Sequence, residues 1–270
     1  MRKFDGMMLA CDMDGTLLDS ERQISDANLQ ALLHFTTEGG LFSLATGRAY
    51  AAVTDYIGLL PINAPYSLLN GSLILDTQNR VLYCAGMPEQ TPTLIVQVLA
   101  AFPNIGCEVF LPNRILVCRM SAETEHHMRV LHLAYDRVNV VELPNPAGWC
   151  QINFTGQAPE IASVRTFLKQ FDDSFHAVCT MPTFCEVTRQ GVSKGAAMMR
   201  IASDCSVQTN KIYAVGDSDN DLSMLHHAAL AFVPENAAPD MFRHAAVRVR
   251  NNDHDAVAQV IEYLEQYCIV

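Results

Sequence analysis

Met7-Met8-Leu9-Ala10-Cys11-Asp12-Met13-Asp14-Gly15-Thr16-Leu17 is the stretch from which the fold is read. Its first five residues are a short apolar run with an acid at the end, the pattern of a parallel strand buried on both faces. Asp12 and Asp14, two residues apart, would share one face of a regular strand. At the carboxyl end of a strand the chain is turning. Asp12 is therefore expected to point into the crevice where α/β folds bind ligands, with Asp14 approaching from the loop. Gly15 allows that loop to turn sharply. Taken alone, the same residues also fit an ordinary strand-to-loop turn capped by Asp.

Working outward, residues 25–38 read as a helix, with Ile24, Leu29, Leu32, Leu33 and Phe35 at roughly helical spacing and Gly39-Gly40 as the stop. Residues 41–45 form a second apolar strand that runs into Thr46-Gly47-Arg48 and a further helix. Alternating units of this kind predict a parallel sheet covered by helices on both faces. From about 83 to 190 the pattern changes to strand pairs separated by helices. Strands are expected at 107–111, 115–119, 138–143, 150–154, 175–181 and 184–188, and helices at 121–135 and 159–171. This reads as an α+β unit, one antiparallel sheet with helices on one side. After Gly191 the α/β pattern returns, with helices at 193–203, 222–229 and 255–266 and strands at 212–215, 230–233 and 247–249. The expected organisation is a core built from 1–83 and 191–270, with 84–190 inserted into it.

Composition narrows the function classes. Half of the 270 residues are hydrophobic, which is too many for a disordered chain. Eighteen Lys+Arg against 29 Asp+Glu give a formal charge of −11, so nucleic acid is not an expected partner. No run approaches the roughly 20 apolar residues of a membrane helix, and Asp5 precedes any long apolar stretch, so no signal peptide is read. Nine cysteines without CxxC pairs fit thiols in a reducing compartment, and the expected location is the cytoplasm.

Three further loops fall after apolar strands or at helix starts. Thr46-Gly47-Arg48 offers a hydroxyl and backbone N–H groups for an anion, or simply an N-cap. In Gly191-Val192-Ser193-Lys194-Gly195, Lys194 sits at a helix start, where the dipole disfavours a cation unless an anion shares the site. In Gly216-Asp217-Ser218-Asp219-Asn220-Asp221, three carboxylates repel unless a cation or solvent intervenes, and hard oxygen donors suit Mg²⁺. The same acids also fit a helix N-terminus, and Asp219 is assigned that role. One crevice at the carboxyl ends of the strands collects all four loops, and together they supply what a phosphoryl group bridged by Mg²⁺ requires.

In this order the four motifs resemble those of the haloacid dehalogenase-like (HAD) hydrolases, and among them the Cof-type (subfamily IIB) phosphatases. The resemblance covers the core, including Asn70-Gly71, Met224-Leu225, Asn236-Ala237 and the tail from Asn252 to Val257; in the inserted region it is one of pattern and position. It implies a Rossmann-like parallel-sheet core with an inserted α+β cap that sets specificity. It also implies a Mg²⁺-dependent phosphatase of small phosphorylated metabolites, sugar phosphates foremost, that works as a monomer or homodimer. By this resemblance Asp12 is the nucleophile that forms an aspartyl-phosphate, and Asp14 is the acid and base. Asp12, Asp217 and the backbone carbonyl of Asp14 hold Mg²⁺, with Asp221 beside them. Thr46 and Lys194 hold phosphoryl oxygens, Gly47 contributes backbone, Asn220 contacts phosphate or substrate, and Arg48 and Asn70 lie near substrate. Lys194 and Mg²⁺ are expected to keep Asp12 ionised. A phosphomannomutase-like mutase and a non-catalytic phosphometabolite sensor are the alternatives.

Two positions depart from the family pattern. Cys11 stands where an aromatic or aliphatic residue is usual, and Val233-Pro234-Glu235-Asn236-Ala237 replaces a glycine-containing stretch. His126-His127 and His226-His227 are read as solvated or capping residues, because neighbours on a helix do not share a face. Trp149 and Phe110 are read as packing residues.

Overall fold

The computed structural model describes residues 2–244 and 246–268. In chain order the strands are β1 (Met8–Cys11), β2 (Leu41–Leu44), β3 (Tyr66–Leu68), β4 (Leu73–Leu75), β5 (Val81–Cys84), β6 (Gly106–Phe110) and β7 (Ile115–Arg119). They continue with β8 (Asp136–Arg137), β9 (Gln151–Thr155), β10 (Phe175–Met181), β11 (Phe184–Arg189), β12 (Ile212–Val215), β13 (Leu230–Pro234) and β14 (Val247–Val249). The α-helices are α1 (Asp26–Thr37), α2 (Thr54–Ile57), α3 (Thr91–Ala101), α4 (Ala122–Val130), α5 (Ala158–Leu168), α6 (Lys194–Asp204), α7 (Leu222–His227) and α8 (Ala256–Tyr267).

The chain divides into two compact units. The first is built from the segment up to Gly47, from Asp55–Arg80 and from Ser193 onward. Its parallel sheet has the order β14-β13-β12-β1-β2 among the described residues. Every residue of β1 and β12 is buried, as expected of apolar runs covered on both faces. Helix α1 packs with α8 and α6 with α7. Ser25 caps α1 by accepting from the Asn28 N–H, where the sequence places the helix start.

One local expectation fails in this unit. No helix starts at Thr46-Gly47-Arg48. Instead Ala45 forms a parallel bridge to Ser67, the Thr46 N–H donates to the Ser67 carbonyl (3.1 Å), and the Thr46 carbonyl accepts from Asn70 (3.1 Å). Thr46 thus continues the extended chain rather than capping a helix. A short 3₁₀ turn follows at Tyr50–Ala52.

The second unit comprises Arg48–Thr54 and Val81–Val192. Its sheet has the order β10-β11-β9-β6-β7-β8, antiparallel except for the β7–β8 pair. One face presents Cys107, Val109, Ile152, Phe154, Cys185 and Val187, which share an apolar cluster with Leu94, Ile95 and Val98 of α3 and Ile161 and Val164 of α5. Trp149 and Phe110 are buried, consistent with packing roles. The opposite face carries a polar row, with Glu108, Asn153 and Glu186 aligned across three strands.

Three expectations for this unit are corrected. Helices are not confined to one side, because Thr124 and His127 of α4 hydrogen-bond to Thr155 and Glu108 on the polar face. Helix α4 ends at Val130 rather than near residue 135, and His132 adopts a left-handed φ of 51° just beyond it. The apolar stretch 138–143 is not a strand. Asn139 and Glu142 close a capping box on a 3₁₀ turn, so local side-chain bonds outcompete ladder pairing and leave only β8 in the sheet.

Candidate active site

Adjacent strands set the frame. Asp12 follows β1, and its N–H donates to Val215, the last residue of β12 (3.0 Å). The Ala45 N–H donates to the Cys11 carbonyl (2.9 Å), bringing the chain at Thr46 alongside. Asp12, Thr46 and Asp217 therefore all leave the carboxyl end of one sheet, where α/β folds bind ligands. Cys11 is fully buried and packs as a small apolar residue, so its departure from the family pattern is absorbed.

The loop after β1 is wound tightly. The Met13 carbonyl accepts from the N–H groups of Leu17 and Leu18, both at 2.9 Å. Gly15 has a φ of +75°, and a Cβ there would lie 2.6 Å from an Asp217 carboxylate oxygen; the position demands glycine on both counts. The Thr16 hydroxyl donates to Asp217 Oδ1 (3.1 Å). The Asn236 amide donates to the Gly15 carbonyl (2.8 Å) and its Oδ1 accepts from the Asn252 N–H (2.9 Å), while Asn252 Nδ2 donates to the Leu18 carbonyl. The divergent Pro234-Glu235 stretch keeps this tie, because the Glu235 N–H pairs with Val249 and leaves Asn236 in reach. Asp14 lies exposed on the loop, forming a bridge with Leu18.

Lys194 opens α6 directly after its cap Ser193, and it is only 1% exposed. Its Nζ donates to Asp12 Oδ1 at 2.6 Å and to Asp221 Oδ1 at 2.7 Å. Asp221 is fully buried, and its second oxygen accepts from the N–H groups of Asp217 (3.0 Å) and Ser218 (3.1 Å). Asp221 is thus the organiser of the Asp217 loop, a more central place than the supporting role the sequence suggested. Asp219 is exposed, in keeping with the helix-terminus role assigned to it.

Three buried or half-buried carboxylates face this single ammonium. Burial opposes the charge on Lys194, but Asp12 and Asp221 outweigh it and raise its pKa above the ordinary lysine range. The carboxylates are not equally compensated. Burial, then the charge of Asp221, pushes Asp12 well above the usual carboxylate range against the pull of Lys194. Burial and Asp221 push Asp217 up to about 6. Lys194 therefore offsets only part of the upward push on Asp12. Carboxylate oxygens of Asp12, Asp217 and Asp221 lie within 4.8 Å of one another, a hard-oxygen donor set that fits Mg²⁺. Since Asp221 already serves Lys194 and two backbone N–H groups, Asp12 and Asp217 are the better direct donors.

A second polar group flanks the cluster. Asn220 Nδ2 donates to Asn70 Oδ1 (3.0 Å), and the Ser218 hydroxyl donates to Asn220 Oδ1 (2.7 Å). Leu69 and Asn70 both have left-handed φ values, 50° and 56°, a costly conformation that turns Asn70 back beneath Gly47. Arg48 falls in the second unit, where its guanidinium donates to the Ala52 carbonyl (3.3 Å). Thr16, Asn236 and Asn252 were not assigned positioning roles from the sequence. Their only signal was a polar residue within each motif, and their partners lie far along the chain.

The family model for haloacid dehalogenase-like hydrolases matches residues 9–261, and the chain belongs to that family. A putative phosphatase of Haemophilus influenzae is 26% identical over 93% of this chain and 95% of its own length. A Bacillus subtilis protein named 5-amino-6-(5-phospho-D-ribitylamino)uracil phosphatase YwtE is 27% identical over 95% of this chain and 97% of its own. Among solved structures, a haloacid dehalogenase-like hydrolase from Bacteroides thetaiotaomicron superposes with a TM-score of 0.85 at 21% identity, covering 96% of this chain and 99% of its own. The HAD subclass IIB sugar phosphatase BT4131 gives 0.82 at 21% identity, covering 98% of this chain and all of its own. The chain is an HAD-family phosphatase. Among the described residues no helix is long and apolar enough to cross a membrane.

Proposed function

We propose that this phosphatase hydrolyses phosphomonoesters of small metabolites, sugar phosphates foremost, through an aspartyl-phosphate on Asp12 and with Mg²⁺ as cofactor. The observation that carries the reading is the bridge from Lys194 to Asp12 and Asp221, with Asp217 beside it and the donor set short of positive charge. Asp12 attacks phosphorus in line and takes the phosphoryl group; Asp14, exposed on the loop, protonates the departing alkoxide and then draws a proton from the attacking water. Lys194 and the Thr46 hydroxyl hold phosphoryl oxygens, joined by the backbone at Gly47. Asn220, braced by Asn70, positions the phosphate or its ester, and Arg48 reads the remainder of the substrate. Asp12, Asp217 and the Asp14 carbonyl would hold Mg²⁺, which when bound supplies the missing positive charge and neutralises the phosphoryl oxygens. The substrate class is supported by the relatives named as phosphatases of phosphorylated small molecules and by the fold shared with a sugar phosphatase.

The test is phosphate release from a panel of phosphorylated sugars, nucleotides and cofactors with Mg²⁺, with EDTA, and with Asp12→Asn. Release that needs Mg²⁺ and falls about a thousandfold or more in Asp12→Asn is the expected result. Equal release by the variant overturns the assignment of the nucleophile. Transfer between sugar positions in the presence of a bisphosphate, with no free phosphate, replaces the hydrolase with a mutase.

A further inference from the structure

All nine cysteines carry free thiols, and six of them lie in the second unit. Cys84 ends β5, and Cys150 directly precedes β9, 66 residues later. Their Sγ atoms stand 3.5 Å apart. The two segments are also held together by the backbone. The Met87 N–H donates to the Pro146 carbonyl at 2.9 Å, and Gly86, with a φ of +65°, lies so close to Ala147 that a Cβ would meet its carbonyl oxygen at 2.7 Å. The two segments that carry the sulfurs are therefore held side by side by backbone contacts.

The geometry points to Cys84 and Cys150 as a dithiol modification site that a small-molecule disulfide, or another two-electron oxidant of thiols, converts to an intramolecular disulfide. The two cysteines have different environments. Cys84 is half-buried, whereas Cys150 is buried. The Cys150 thiol directed at Cys84, helped by the Gly86 N–H, pulls the Cys84 thiol down to about 6, and burial works in the opposite direction. Cys84, the more exposed of the two, is the attacking sulfur and Cys150 the resolving one.

The chemistry balances with a disulfide RSSR as oxidant. The Cys84 thiolate attacks one sulfur, the S–S bond of RSSR breaks, and one RS⁻ departs with the proton that Cys84 gave up. Cys150 then loses its proton as its sulfur bonds to Cys84 Sγ, and the second RS⁻ leaves and takes that proton. The two cysteines lose two electrons together, and RSSR becomes two thiols. The new bond closes a ring of chain that contains α3, β6, β7, α4 and β8.

The site involves none of the residues of the proposed phosphoryl chemistry, so it stands or falls separately. The full chain is reduced, exposed to oxidised glutathione near neutral pH, digested without reductant and mapped by mass spectrometry. The expected product is a peptide pair joined through Cys84 and Cys150, lighter by two hydrogen atoms than the reduced pair and separated again by dithiothreitol. In Cys150→Ser the reaction is expected to stop at a glutathione adduct on Cys84. Where that variant does not fold, the time course of the wild type gives the same order, with the Cys84 adduct preceding the bridge. Cys84 and Cys150 remaining alkylatable after this treatment overturns the proposal. So does a stable Cys84 adduct in the wild type that never resolves onto Cys150.

Discussion

The molecule buries carboxylates in two places, and the two are built on opposite principles. In the second unit Glu108 is fully buried, yet its oxygens accept from Asn153 Nδ2 (3.2 Å) and meet His127 Nδ1 at about the same range, 3.0 Å. Gln151 donates in turn to Asn153 at 2.7 Å. One acid, a histidine and two amides form a hydrogen-bonded network, the arrangement by which a buried polar group avoids the cost of lost solvation. In the first unit Asp12, Asp217 and Asp221 crowd around one lysine, and burial drives two of them toward protonation. A self-sufficient network serves the fold. The unbalanced one is short of positive charge, which the proposed Mg²⁺ would supply.

The contrast is open to direct attack. Lys194→Met removes the ammonium that bridges Asp12 and Asp221 and leaves the two acids facing each other in a buried site. Breaking a buried pair in this way costs about 3–5 kcal/mol, and denaturant unfolding is expected to show it together with loss of phosphate release. Adding Mg²⁺ in the absence of substrate should stabilise the wild type, by about 2.7 kcal/mol at a hundred times its dissociation constant. Thermal melts of Asp217→Asn should lose most of that gain. If melts of the wild type ignored Mg²⁺, the imbalance would have to be met in some other way. Glu108→Ala strips the acceptor from Asn153 and His127, so a stability loss of about 1–3 kcal/mol is expected with turnover of small substrates retained. A collapse of turnover at unchanged stability would erase the distinction between the two clusters. The finest probe is Thr16→Val, which deletes the hydroxyl on Asp217 at an expected cost of about 1 kcal/mol and weakens the Mg²⁺-dependent melt shift.

The core was legible because its signals are local. Met8–Cys11 is apolar throughout, since both faces are covered, and each acid or glycine of the motifs follows a strand within a few residues. Lys194 stood out because a cation at a helix start works against the dipole, and the structure gives it two carboxylates as the reason. What escaped was everything decided across the chain. His127 read as solvated because its neighbour is His126, but its partner Glu108 sits on a different element. Glu108 itself alternates with apolar residues as a solvent-facing strand position would, and only α4 lying on that face makes it buried. Residues 138–143 carried the composition of a strand, and a capping box between Asn139 and Glu142 overrode it. The weight borne by Asp221 was hidden because its bonds to Lys194 and to its own loop emerge only when β12 and α6 are in place.

The position of β1 between β2 and β12 has a consequence for synthesis on the ribosome. Strand β1 is translated well before β12, its second sheet neighbour. Thr16 and the Asp217 that accepts its hydroxyl are 201 residues apart. At roughly 5–20 residues per second that gap lasts about 10–40 s, during which β1 has one open edge and its acid has no lysine. The nascent chain therefore carries an unfinished strand edge at Met8–Cys11 through the making of the entire second unit.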